Sequence, residues 1–221
     1  MNPATRSRGI VIGLVVVISA AGWWGYGEHQ KRELRKTIVA LAENTGARMR
    51  IALTAATEGP DAVRELEDHA SAVERNLAEL KLLSASREPA LAEAADDYIL
   101  TGREILKRVV NVQRYRQLLA ESLPALIAHM RADNHSGAWV QQAVKARERV
   151  NQDHRGLSLA ASALDTLLQS FPASQKKIAP YVAPVTLVEG SVIDAARARA
   201  LEAVKQADAE IEKTRRIDAF R

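Results

Sequence analysis

The stretch that decides the fold is residues 89–133, PALAEAADDYILTGREILKRVVNVQRYRQLLAESLPALIAHMRAD. Apolar residues recur there at alternating spacings of three and four, which places them on one face of an α-helix. We call the residues of such a face the seam of the helix. Only Gly102 and Arg116 depart from the apolar pattern, and Pro124 is expected to kink the helix. The stretch therefore predicts one long helix whose seam consists of Leu91, Ala95, Tyr98, Gly102, Ile105, Val109, Val112, Arg116, Leu119, Leu123, Leu126 and Met130.

The same spacing recurs in the segments on both sides of this stretch. Gly59-Pro60, Pro89 and a proline-rich connection at 172–184 separate the segments from one another. None of the segments shows the period of two that a strand requires. The predicted fold class is all-α, an elongated antiparallel bundle of four to five long heptad-patterned helices that occupies residues 28–221. The flanking helical segments are 28–58, 61–84, 138–171 and 186–219. Val140 lies on the predicted seam of the third of these segments, and Ala196, Ala200 and Ala207 lie on that of the alanine-rich last one.

An uncharged stretch, residues 9–27, follows a short basic tail of residues 1–8. As a helix it is roughly 28 Å long, which matches a bilayer core of about 30 Å. Aromatic side chains at its far end favour the headgroup layer, and basic residues flank it on both sides. We therefore expect a transmembrane signal anchor that is held by Trp23, Trp24, Tyr26, Arg6, Arg8, Lys31, Arg32, Arg35 and Lys36.

A cleaved signal peptide is the alternative to an anchor, because Ser19-Ala20-Ala21 is a small-x-small cleavage pattern. The apolar run continues past that site into the aromatic residues, which favours the anchor. Arg6 and Arg8 favour a cytoplasmic N-terminus, and long domains are exported largely regardless of charge. We expect a single-pass protein of a bacterial-type inner membrane with a periplasmic body. A cytoplasmic body is the alternative, because basic residues also follow the span.

Composition and charge exclude several classes of protein. The chain has 221 residues and no cysteine, which excludes disulfide scaffolds, cysteine-ligated metal sites and thiol nucleophiles. Its formal net charge of +4 arises within residues 1–36, and the remainder has 25 basic and 25 acidic residues. The excess charge therefore surrounds the predicted span, where anionic lipid would meet it. We expect membrane lipid as a partner and no nucleic acid.

The motifs that mark common catalytic and metal sites are absent from the sequence. The five histidines have neither the Glu-x-x-His nor the His-Glu-x-x-His spacing of metal-binding helices. Glycine-rich phosphate-binding loops and the Gly-x-Ser-x-Gly pattern are also missing. Ser174 and Lys177 match the short pattern Ser-x-x-Lys, but the other motifs of penicillin-binding proteins do not follow. We expect no metal, no cofactor and no enzymatic activity.

One polar group of residues stands out on the predicted seams. If residues 133–138 form a turn, antiparallel pairing places Arg116 near His154, with Asp153 and Tyr115 at the same level. A buried cation layer of this kind could bind a small anion such as a carboxylate. The alternative is a polar layer that fixes the register of the helices while Arg116 extends to solvent.

A membrane helix that runs straight into long bundled helices resembles the ectodomain architecture of four-helix-bundle chemoreceptors and sensor kinases. The resemblance covers residues 9–171 and rests on architecture, without a specific motif. Such receptors return through a second membrane helix, and no second apolar stretch follows here. The resemblance therefore implies a sensor-like accessory module rather than a full receptor.

Three hypotheses follow for the function. The first is a membrane-anchored, non-enzymatic accessory or scaffold subunit of a cell-envelope assembly, which binds a protein partner or a second copy of itself. The second is a sensor-like bundle that binds a small anion near Arg116 and His154. The third is a membrane-bridging rod that uses basic residues at its far end, namely Lys213, Arg215, Arg216 and Arg221.

Overall fold

The computed structural model describes residues 3–55, 61–83, 88–131 and 136–219, with side chains described for residues 28–214 of those ranges. The described residues form helices and no strand, which confirms the all-α prediction. A short 3₁₀ turn, Pro184–Thr186, precedes the last helix. The five long helices are α1 (Pro3–Thr54), α2 (Ala62–Leu82), α3 (Pro89–Arg131), α4 (Gly137–Ile178) and α5 (Gly190–Ala219).

The predicted span, residues 9–27, falls within the bounds of α1, but its side chains lie outside the described residues. The same holds for Arg6, Arg8, Trp23, Trp24 and Tyr26. Within the part of the chain whose side chains are described, no helix combines the length and the apolar character that crossing a bilayer requires.

The link between α4 and α5 is shorter than the predicted connection at 172–184, which was wrong at its start. α4 passes through Pro172 and ends at Ile178. Proline removes one helical hydrogen bond, but Phe171 and Ile178 on either side are fully buried. Their packing holds this part of the chain in the helix. We call residues 179–189 the α4–α5 connection.

α3 lies at the centre of the molecule and packs against the other four long helices. α4 runs antiparallel to it, because Tyr98 stacks on Phe171 near one end and His129 stacks on Trp139 near the other. The buried core follows this pair of helices and is lined mainly by leucine, isoleucine, valine and alanine. The antiparallel pairing of these two segments is therefore as predicted.

α1 and α2 accompany only the first part of α3. At its start, Lys31 of α1 lies 3.8 Å from Glu88. Farther along, Glu67 of α2 pairs with Arg114 at 2.5 Å. Beyond Leu119, three clefts are lined by described residues of α3, α4 and α5. The bundle therefore has a wide end, where α1 and α2 pack on α3, and a narrow end of three helices.

The α4–α5 connection is attached to one face of α1. Glu43 accepts a hydrogen bond from the backbone N–H of Ala183 at 3.2 Å, and Arg50 donates to the carbonyls of Val185 and Leu187. Between them, Gly46 leaves no room for a Cβ atom, which would overlap the carbonyl oxygen of Thr186. The glycine therefore permits the close approach of the connection.

Gln175 fixes the connection from the other side. Its amide nitrogen donates to the carbonyl of Val188 at 3.0 Å, and its amide oxygen accepts from the N–H of Val188 at 2.7 Å. Val188 itself is buried. The connection is therefore bound to α1 and to α4, and it fixes where α5 begins.

Candidate functional site: a groove beside Arg116

The four residues that the sequence singled out lie at one level of the α3–α4 pair, in different surroundings. Asp153 is buried and accepts a hydrogen bond from the hydroxyl of Ser122 at 3.2 Å. Tyr115 packs its ring flat against Gly156, where a Cβ atom would overlap it. Both contacts join α3 to α4.

His154 lies at the contact between α4 and α5. Its Nε2 atom lies 2.7 Å from Oδ1 of Asp208, which is within ion-pair distance. No hydrogen bond or ion pair joins His154 to Arg116 in the part of the chain whose side chains are described. Antiparallel pairing brings the two to the same level, but α5 contacts each of them separately.

Arg116 is exposed, and it lies between α3 and α5. Its Nη1 atom donates to the side-chain oxygen of Gln113 at 3.3 Å. It makes no ion pair with any acid among the described side chains, although its neighbour Arg114 pairs with Glu67. A guanidinium has five N–H donors, so most of the hydrogen-bonding capacity of Arg116 is available to a ligand.

Two adjoining clefts meet at Arg116, and they also share Ala203 and Gln206 of α5. The first has a volume of about 240 Å³ and lies at the end of α1, where Ala52 and Leu53 line it. The second has a volume of about 330 Å³ and follows α3 towards the narrow end. We call the two together the α3–α5 groove. The second cleft is lined by Arg116, Leu119, Ala120, Leu123, Pro124, Ile127, Leu157, Ala203, Gln206, Ala207 and Glu210.

The two arginines that line the groove differ in how many hydrogen bonds they make to the protein. Arg199 donates to the carbonyl oxygens of Leu53, Thr54 and Ala55 and so caps the C-terminal end of α1. These carbonyls have no partner within the helix, so the arginine supplies the donors they lack. Its charge is therefore used mainly in the fold, unlike that of Arg116.

Two acidic residues, both exposed, also line the groove. Glu210 pairs with Lys213 at 2.5 Å on the surface of α5. Glu202 lines the first cleft, on the same helix as Arg199. The groove therefore combines an apolar floor with two arginines. Arg199 donates to backbone carbonyls, and Arg116 has no ion-pair partner among the described side chains. Chemically, this arrangement suits an anion that carries an apolar tail.

Ser174 and Lys177, the residues of the Ser-x-x-Lys pattern, contact the same carboxylate. The hydroxyl of Ser174 and the ammonium group of Lys177 each donate to Oδ2 of Asp97 at 3.0 Å. Thr101 lies 3.3 Å from the hydroxyl of Ser174. The serine donates its proton to a carboxylate that the lysine already neutralises, so the lysine is not placed to activate it. The cluster connects α3 to α4.

The basic residues after the predicted span are partly paired. Lys31 contacts Glu88, and Lys36 donates to Glu33 at 2.8 Å. The hydrogen bond from Lys36 lowers the pKa of Glu33. Arg32 and Arg35 are exposed and make no ion pair within the described part of the chain. Two cations therefore remain available to anionic lipid at this end.

No protein-family model matches the chain, and no significant match was found among curated proteins or solved structures.

Sequence reasoning identified Arg116 but not the α5 residues that line the groove with it. The groove depends on α5, whose lateral position the heptad pattern does not specify. One sequence signal was present: α5 carries alanines at predicted seam positions, among them Ala196, Ala200 and Ala207, all of which are buried, and Ala203 beside them is buried as well. Small side chains on one helix opposite an arginine on another leave space between the helices.

Proposed function

We propose that the protein is a single-pass, membrane-anchored and non-enzymatic bundle, an accessory or scaffold subunit of a cell-envelope assembly. The span is residues 9–27 in an inner membrane of the bacterial type, and the body is periplasmic. The observation that carries the proposal is the continuity of α1. Its bounds include the span, while Ile38 and Met49 farther along the same helix are fully buried in the bundle.

The polar contacts inside the bundle support a scaffold role. Asn76 of α2 donates to the side chains of Asn44 and Thr45 on α1 at 3.1 and 3.0 Å. Ser122 with Asp153, and Ser174 with Asp97, connect α3 to α4 in the same way. Such groups orient helices and stabilise one arrangement of them. The resulting rigid body suits a protein that holds partners in position.

The proposed protein partner binds at the narrow end. Val140 and Val144 of α4 are 48% and 51% exposed, and Val140 occupies a predicted seam position. Valine on an apolar seam is normally covered, so a helix of a partner would complete this face.

A photo-crosslinking experiment in intact membranes tests the scaffold role. A photoreactive amino acid at Val144 of the full chain is expected to yield one discrete adduct, because the face is covered by a partner. The matched control is Leu159, which is 73% exposed on the same helix nearer the wide end. Equal, diffuse labelling at both positions, or none at Val144, would rule out a partner there.

Anchoring and topology require a separate experiment. The full chain is expected to stay in the membrane pellet after alkaline carbonate extraction, and alkaline phosphatase fused after Arg221 is expected to be active. Release by carbonate would contradict the anchor. An inactive phosphatase, with fluorescence from the matching green fluorescent protein fusion, would place the body in the cytoplasm.

A further inference from the structure

We propose that the α3–α5 groove binds a long-chain amphiphile with an anionic head, such as a fatty acid or an acidic phospholipid. The head lies at Arg116, and the acyl chain follows α3 towards Ile127. This inference goes beyond the scaffold role and does not require it.

The shape of the groove fits a chain-like ligand. From Val109 to Ile127 the groove follows roughly 27 Å of helix at about 1.5 Å per residue. An acyl chain in a bilayer extends over about half of a roughly 30 Å hydrocarbon core, so it is shorter than the groove. The two clefts, of about 240 and 330 Å³, have the size of small-molecule sites.

The groove exists because α1 ends where α5 continues. α1 stops at Thr54, and Arg199 of α5 caps its last carbonyls. Past that point, α5 faces α3 with Ala203 and Ala207, which are too small to fill the space that α1 occupied. The space is therefore held open by the arrangement of three helices and not by a single side chain.

Charge favours an anionic head over a neutral one. Arg116 is the cation that both clefts share, and its only hydrogen bond among the described residues is to the neutral amide of Gln113. Of the two acids that line the clefts, Glu210 has Lys213 as its partner, and Glu202 lines only the first cleft, which Arg199 also lines. A carboxylate or phosphate can accept two parallel hydrogen bonds from the guanidinium. Gln206, beside it in both clefts, can add a further donor.

Photolabelling of the full chain in its membrane tests the proposal. The probe is a fatty acid with a diazirine in the chain and an alkyne for detection. Peptide mapping is expected to place the adduct on residues 117–131 of α3 and on the facing part of α5. Label confined to residues 9–27, which are expected in the bilayer, would overturn the proposal.

Matched variants separate the site from general lipid contact. Arg116→Gln is expected to reduce labelling of residues 117–131 about tenfold, which is the effect of one lost hydrogen bond to a charged group. Arg114→Gln, which removes a cation paired with Glu67 at the α2 side, is expected to leave the labelling unchanged. Equal loss in both variants would show a nonspecific charge effect and overturn the assignment of Arg116.

A second variant tests the groove without altering charge. Ala120 lines the groove from its exposed side, so Ala120→Trp fills the space while the core remains intact. Labelling is expected to fall severalfold with an unchanged circular dichroism melting curve. Unchanged labelling in this variant would show that the chain does not lie in the groove.

Competition distinguishes the two sources of the ligand. A free saturated fatty acid that displaces the probe, where phosphatidylglycerol does not, identifies a fatty acid site. Displacement of the probe by phosphatidylglycerol, but not by the free fatty acid, identifies a phospholipid site. Both results support the groove, and failure of both competitors to reduce labelling of residues 117–131 would overturn it. The extraction and crosslinking experiments above report on the anchor and the partner independently.

Discussion

Among the described side chains, a stacked aromatic pair lies at each end of the bundle, and the two pairs differ in burial more than in geometry. At the wide end, the rings of Tyr98 and Phe171 have centroids 5.6 Å apart and are 1% and 0% exposed. At the narrow end, His129 and Trp139 stack at 5.1 Å and remain half-buried. The two pairs therefore stack with similar geometry, but the rings at the wide end are more deeply buried. The number of helices around α3, rather than the local pairing, determines how much each end contributes to stability.

The difference also affects local opening. A region with few buried contacts opens at lower free energy than a fully enclosed one. Backbone amides in α4 near Val144 are therefore expected to exchange with solvent deuterium faster than those near Leu168, which is fully buried. The comparison of the two ends can be tested by substitutions that act at one end and have a counterpart at the other.

The largest effect is expected from truncating the two stacks. Phe171→Ala is expected to lower the free energy of unfolding by about 3–5 kcal/mol, because it leaves a cavity in the enclosed core. Trp139→Ala is expected to lower it by about 1–2 kcal/mol, since that ring is only partly enclosed. Urea denaturation of the full chain in detergent micelles, followed by circular dichroism, measures both. Equal losses would contradict the distinction between the two ends.

The next effect concerns glycine at each end. Gly46→Ala places a methyl group against the carbonyl of Thr186 and is expected to destabilise the protein by about 1–3 kcal/mol, as overpacking does. Gly137→Ala, in the first turn of α4, meets no atom within 4 Å and is expected to be neutral or stabilising by up to about 1 kcal/mol. Thermal melts of both variants test this, and a stabilised Gly46→Ala variant would show that the connection yields easily.

A smaller effect is expected from removing the cap on α1. Arg199→Ala leaves the carbonyls of Leu53, Thr54 and Ala55 without their donor and is expected to destabilise the protein by about 1–2 kcal/mol. The control is Arg155→Ala on the exposed face of α4, which is expected to change stability by less than about 0.5 kcal/mol. Faster amide exchange confined to the last turn of α1 would identify the loss as local.

The smallest effect is a pH dependence at the contact between α1 and α2. Burial lowers the pKa of His69, and Arg48, whose Nη1 lies 3.4 Å from its Nδ1, lowers it further. The folded state therefore binds this proton less readily than the unfolded state. The contribution of neutral His69 to the free energy of unfolding is complete above the pKa of the unfolded state, about 6.5. It is lost as the pH falls through the lower pKa of the folded state. The free energy of unfolding is expected to decline as the pH is lowered. His69→Gln is expected to make that free energy less dependent on pH between pH 7 and 5.

The seam of α3 shows what a sequence can predict about this fold. Leu91, Ala95 and Ile105 are fully buried, as their spacing indicates. Gly102 interrupts the apolar pattern because α1 approaches closely there: a Cβ atom would lie 2.7 Å from the sulfur of Met49. The pattern therefore identifies the buried face and also marks a close helix contact.

The candidate site was less predictable, because heptad spacing does not specify how many helices cover a face. Val140 occupies a seam position and is half exposed, since α1 and α2 do not extend to the narrow end. Arg116 is exposed for a related reason: α1 ends at Thr54, and α5 presents alanines to α3. Helix ends and the lateral position of α5 follow from long-range packing, and no local spacing encodes them.

The attachment of the α4–α5 connection to α1 has a mechanical consequence. Glu43, Gly46 and Arg50 are spaced by three and four residues, so they form one stripe along α1, and each contacts the connection. A tilt or rotation of α1 displaces the connection, and the start of α5 moves with it. Since α5 forms one wall of the α3–α5 groove, we expect the orientation of α1 and the width of the groove to be coupled.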